Sequence, residues 1–99
     1  MEWLWTWSGR FFGYKDGKNI WTYKGEHVGK IINDEIYGTD GRYLGEIKKD
    51  NRLITKVSKK THRKSMFIPK ANRSSYAKRA DYAGFAMYAG YEDFPKLEK

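Results

Sequence analysis

The sequence predicts a mainly β fold: tandem 16-residue β-hairpin repeats around a pseudo-symmetry axis, then a basic connector and one C-terminal helix. Three observations predict it. Gly9, Gly25 and Gly41 stand sixteen residues apart, and so do Gly13, Gly29 and Gly45. Leu4-Trp5, Ile20-Trp21 and Ile36-Tyr37 lead each unit, while Phe12, Val28 and Leu44 precede its second glycine. From Asn51 to Ala80 there are ten Lys or Arg and no Asp or Glu. A fixed internal period marks a repeat architecture, and the change of charge marks its end. Ninety-nine residues make one domain. Within it the hairpin repeats occupy 1–57, the connector 58–73, the helix 74–90 and a tail 91–99.

The hairpins follow from the turn signals Ser8-Gly9, Asp16-Gly17, Lys24-Gly25, Asn33-Asp34, Asp40-Gly41 and Lys49-Asp50-Asn51. Asp-Gly between apolar runs favours a hairpin, because glycine accepts positive φ without a Cβ clash. The runs between the turns are short and rich in β-branched and aromatic residues, as strands are. Seven antiparallel strands in an up-and-down meander result. Two-residue turns at Ser8-Gly9, Lys24-Gly25 and Asp40-Gly41 pair Leu4 with Gly13, Ile20 with Gly29 and Ile36 with Gly45. On the other face they pair Trp5 with Phe12, Trp21 with Val28 and Tyr37 with Leu44. A glycine inside a strand marks either a bulge or the close approach of another backbone. The aliphatic residue opposite each glycine favours close approach, with the hairpins converging on a common centre.

The fourth unit breaks the pattern. Leu53-Ile54 is shifted by one, no glycine pair follows, and Lys59-Lys60 occupies the turn. Either the last hairpin is built from irregular sequence, or another subunit closes the ring. The phrases Asp40-Gly41-Arg42-Tyr43-Leu44-Gly45-Glu46-Ile47 and Gly25-Glu26-His27-Val28-Gly29-Lys30-Ile31 resemble the small bacterial four-fold β-flower proteins. The resemblance covers about the first half of the chain. It implies short hairpin petals around a pseudo-four-fold axis. It carries no catalytic residues, because that family has no established activity.

Pro69 excludes a continuous helix through the connector. Ser74 or Ser75 offers an N-cap, and Tyr76 to Ala89 can run as a helix ending near Gly90. Tyr76, Ala80, Ala83 and Met87 then share a face, with Ala77, Gly84 and Tyr88 beside it. The expected role is a lid on an open face of the flower; the alternative is a dimerisation helix.

The composition narrows the function. There is no cysteine, so disulfides and thiolate sites are excluded. No stretch approaches the roughly 20 apolar residues of a membrane helix, and the expectation is no membrane partner and a cytoplasmic location. The two histidines are 35 positions apart and form no metal motif. His27 fills the slot of Phe11 and Tyr43, where packing is the ordinary use of a ring. His62 lies among Lys60, Arg63 and Lys64 at the surface. Asp16, Asp34, Asp40 and Asp50 sit at turns, where carboxylates cap backbone groups. His27 with Glu46 is the one conceivable acid–base pair, and nothing in the spacing requires it. No cofactor, metal or catalytic residue is expected.

The reading is therefore a small non-catalytic binding or scaffolding module that self-associates. Its interaction surface is the aromatic face carrying Trp3, Trp5, Trp7, Arg10, Phe12 and Tyr14, covered partly by the helix and partly by another subunit. The alternative is binding of nucleic acid, another polyanion or a phosphorylated ligand through segment 52–79. Lys56, Lys59, Lys60, Arg63, Lys64, Lys70 and Arg73 would bind the anion, with Tyr76 or Phe67 adding base stacking. A solvated face that only keeps the protein soluble explains the same charges. The net charge of +8 weighs equally on both.

Overall fold

A computed structural model describes residues 1–97. Its strands are β1 (Glu2–Thr6), β2 (Phe11–Asp16), β3 (Asn19–Thr22), β4 (His27–Ile32), β5 (Glu35–Gly38), β6 (Tyr43–Lys48), β7 (Arg52–Lys56) and β8 (Tyr91–Asp93). Each pairs antiparallel with the next, and β1 also pairs parallel with β7. That last pairing closes strands β1 to β7 into a barrel. Four petals make up the fold: β1–β2, β3–β4, β5–β6 and β7–β8, with β8 added to β7 outside the closed ring.

Within the first three petals the inner register is the one the spacing predicts. Leu4 faces Gly13, Ile20 faces Gly29 and Ile36 faces Gly45. The outer register differs. A bulge after each aliphatic residue makes Trp5 meet Phe11, Trp21 meet His27 and Tyr37 meet Tyr43. One extra residue per hairpin turns Phe12, Val28 and Leu44 back toward the interior. There Leu4, Phe12, Ile20, Ile36, Leu53 and Phe94 form the core, with Val28 and Leu44 half-buried against it. Gly13 and Gly45 sit where a Cβ would strike the backbone of Trp21–Thr22 and the Ile54 carbonyl of the adjoining petal. Bulging and close approach therefore occur together.

The chain itself completes the fourth petal, without another subunit. β8 pairs with Ile54, Thr55 and Lys56, beside the stretch of β7 that β1 takes. Where the sixteen-residue period would place Lys60, Phe94 enters the core instead.

The segment 74–90 is not a helix; among the described residues there is no α-helix. Residues 61–90 form an extended strap around the outside of the barrel. Lys64 donates its amide to the Gly41 carbonyl, Arg73 to Gly25 and Tyr82 to Gly9, each at 2.8 Å. Three residues further on, Phe67 donates to Thr39, Tyr76 to Tyr23 and Phe85 to Trp7, at 3.1, 2.8 and 3.1 Å. The acceptors recur every sixteen residues and the donors every nine, and the strap meets petals three, two and one in that order. β8 then returns it to petal four. Helical periodicity in Tyr76, Ala80, Ala83 and Met87 gives way because the petal rims offer an extended chain fixed backbone partners. A helix in water gains too little from propensity alone to compete.

Gly9, Gly25 and Gly41 belong to this contact. Their φ values are +99°, +90° and +84°, and a Cβ on any of them would overlap a strap carbonyl. The first glycine series serves the strap and the second serves packing between petals, so the six do not share one centre.

Candidate functional site

The strap lies over the outer aromatic pairs. Lys64 lies 5.8 Å above Tyr37, Arg73 lies 3.9 Å above Trp21, and Tyr82 stacks on Trp5 at 4.1 Å and 15°. The Trp5 and Trp7 indole N–H groups donate to the Ala80 and Ala86 carbonyls, both at 3.0 Å. Strap and petals thus cover each other's rings, and Trp5, Trp7 and Tyr14 are buried there, whereas Phe12 leaves the expected face and points into the core against Phe94. The expected interaction face is covered by the strap rather than by a helix.

Arg52, absent from the residues singled out by charge, secures the junction of β1, β7 and strap. It is 4% exposed. Its guanidinium donates to the Trp7 carbonyl at 3.2 Å and the Ala83 carbonyl at 2.9 Å, and lies 4.1 Å above Phe85. Only a planar fork can serve several carbonyls and a ring at once.

His27 is enclosed. It stacks on Trp21 at 4.9 Å, and Phe67 lies 5.3 Å away. The Lys70 amide donates to Nδ1 at 2.9 Å, so Nε2 carries the hydrogen and donates to the Gly29 carbonyl at 3.1 Å. Burial holds the imidazole pKa below its ordinary 6.5. Both nitrogens are engaged by backbone, and Glu46 contributes to neither bond. Glu46 bonds instead to Tyr43 at 3.0 Å and Lys59 at 3.2 Å.

The seven cations chosen from the sequence divide. Lys59 bridges Glu35 at 2.6 Å and Glu46 at 3.2 Å. Its hydrogen bond to Glu35 raises the lysine's pKa and lowers the carboxylate's, and burial raises Tyr37 to about 12. Lys60 pairs with Glu92 at 2.6 Å and Arg73 with Asp16 at 2.9 Å. Lys56 is half-buried at the end of β7. Arg63, Lys64 and Lys70 are exposed, and among the described residues no carboxylate pairs with them or with Arg79. A cleft of about 700 Å³ opens beside Lys70, floored by Val28, Leu44 and Leu97. Of its rim charges, Lys60 pairs with Glu92 and Arg42 with Asp40. The strap's outer face therefore holds the denser unpaired charge.

Charge alone could find Arg63, Lys64 and Lys70. Tyr82 and Tyr88 are not legible as an exposed pair of rings, because a helix turns Tyr88 toward its packed side and Tyr82 away from it. The nine-residue recurrence of Phe67, Tyr76 and Phe85 was the available signal. Among the described residues no cluster of three metal-binding side chains gathers, and no helix is long and apolar enough to cross a membrane.

No curated protein and no solved structure matches the chain. A family model described as "4-fold beta flower protein" matches residues 1–88. The match covers the three glycine-marked petals, β7 and nearly all of the strap, and the chain belongs to the four-fold beta flower family.

Proposed function

We infer that the protein is a small non-catalytic binding module whose ligand is a polyanion. The observation that carries this reading is the exposed strap, where Arg63, Lys64, Lys70 and Arg79 have no carboxylate partner among the described residues. Such a row releases counterions when phosphates replace them. The rigid barrel beneath fixes the row's spacing. A labelled single-stranded oligonucleotide, titrated at two salt concentrations, tests it. The comparison is a variant with Arg63, Lys64, Lys70 and Arg79 each changed to Glu. Affinity should fall steeply with salt in the native protein and collapse in the variant. Binding indifferent to both would end the reading.

A second reading, self-association, is favoured by Met66 and Ile68, which are 76% and 92% exposed beside Pro69. Apolar side chains that prominent mark contact surfaces when they cluster. Light scattering should show a dimer that Ile68→Lys disperses; a strict monomer at high concentration would dismiss it.

A further inference from the structure

The polyanion reading leaves open whether the ligand is paired or single-stranded, and the strap's tyrosines bear on that. Tyr76, Tyr82 and Tyr88 recur every six residues and keep 44%, 52% and 44% of their surface exposed. Each lies against a tryptophan of the first petal. Tyr76 meets Trp3 at 5.0 Å edge-on, Tyr82 stacks on Trp5 at 4.1 Å, and Tyr88 meets Trp7 at 5.0 Å and 54°. Trp3 and Trp5 share a face of β1, and Trp7 follows just past its end.

Trp7 lies in the turn after β1, while from Trp3 to Trp5 the backing row advances by two residues of extended chain, about 6.6–6.8 Å. That is about twice the 3.4 Å that each nucleotide advances along one strand of a duplex. Bases stacked in a duplex cover each other's faces and cannot lie on successive rings. Bases of an extended, unpaired strand can.

Cations accompany the rings. The Arg79 guanidinium lies 4.8 Å above Trp3 and, with Trp5, Ala80 and Tyr82, lines a shallow hollow. Lys49 lies 5.1 Å above Phe85 near the other end, whereas Arg73, before Tyr76, is held by Asp16. Asp81, beside Tyr82 in sequence, accepts from the Phe11 amide at 2.9 Å and pairs with Lys78 at 2.7 Å, which offsets its charge. Rings already held against tryptophan lose little freedom when a base lands on them, so the platform is preorganised.

We propose that Tyr76, Tyr82 and Tyr88 form a stacking platform for single-stranded nucleic acid, with Arg79, the unpaired strap cation beside the first petal, on its phosphates. This rests on the polyanion reading of the same strap and narrows it to unpaired strands. Every base has a π-face, so recognition tolerates sequence.

The test uses the full chain with a labelled single-stranded oligonucleotide and, separately, its duplex. Tyr82→Ala, Tyr82→Phe, Tyr76→Ala and Tyr88→Ala are compared with the native protein. Tryptophan fluorescence and circular dichroism check each fold. The single strand should bind at least about tenfold tighter than the duplex at equal salt. Tyr82→Ala should lose roughly 5- to 150-fold, Tyr82→Phe should bind as the native protein does, and the salt slope should stay the same. If Tyr82→Ala unfolds, Tyr76→Ala and Tyr88→Ala decide the same question. Equal affinity for duplex, or folded alanine variants that bind as tightly as the native protein, would overturn the platform while salt-dependent binding stood. No salt-dependent binding to either nucleic acid would remove the underlying reading as well.

Discussion

Phe94 meets Phe12 edge-on, with ring centroids 5.2 Å apart and planes at 89°. A residue near the C-terminus thereby fills a core place that no residue of the fourth sixteen-residue unit can fill, since Lys60 holds that position. Connections between strands of one sheet are usually short, but here the connector circles the whole barrel before its second strand arrives. Phe94→Ala should cost about 3–5 kcal/mol, the usual range for a buried phenylalanine. Urea unfolding measures it, and a loss below about 1 kcal/mol would mean that Phe94 does not complete the petal.

Glycine contacts give a paired prediction. Gly25 has φ +90° and faces the Arg73 carbonyl, whereas Gly17 has φ +60° and open space around its missing side chain. Gly17→Ala incurs backbone strain alone, about 1–2 kcal/mol. Gly25→Ala adds displacement of the strap, worth about 1–3 kcal/mol more. Denaturation of the two variants side by side measures the difference, and equal losses would show that the strap does not press on Gly25.

His27 should make stability fall in mild acid. Its folded pKa lies below 6.5 because burial disfavours the imidazolium. The native state therefore binds a proton less readily than the unfolded chain. The contribution is present above pH 6.5 and is lost as pH falls toward the folded value. His27→Phe, which copies Phe11 in the first petal, should flatten the curve between about pH 7 and 5. At pH 7 it should also cost about 1–3 kcal/mol, because the Lys70 amide and Gly29 carbonyl lose their partner. An unchanged acid slope in the variant would contradict the assignment.

The Lys59 cluster acts in two further windows. Glu35 has its pKa lowered, so its contribution is present above its ordinary 4.5 and fades as pH falls through the folded value. Tyr37 has its pKa raised to about 12, so its contribution is present below 10 and is lost as pH rises through about 12. Lys59→Met should lose about 1 kcal/mol at pH 7 and less at pH 3, where the carboxylates are protonated. Urea titrations at both pH values check this, and a larger loss at pH 3 would be the wrong sign.

The sequence made the petals legible because their constraint is local. A glycine opposite Leu4, Ile20 or Ile36 is written into each hairpin, and the predicted inner register holds at all three. The outer register was displaced by bulges at Trp5, Trp21 and Tyr37, which no single residue type announces. The strap is less legible for a different reason. Tyr76 to Ala89 contains small helix-compatible residues and caps, but propensity is a weak prior against partners distant in sequence. Those partners, the Gly9, Gly25 and Gly41 carbonyls, are visible only when a nine-residue period is set against a sixteen-residue one. Lys59, Lys60 and Arg73 looked like free charge because their carboxylates, Glu35, Glu46, Glu92 and Asp16, come from other elements.

Amide hydrogen exchange by NMR tests the encircling strap most directly. Slow exchange should appear at Lys64, Phe67, Lys70, Arg73, Tyr76, Tyr82 and Phe85, as isolated positions separated by fast-exchanging residues. Unbroken protection from 76 to 89, with helical chemical shifts, would contradict it.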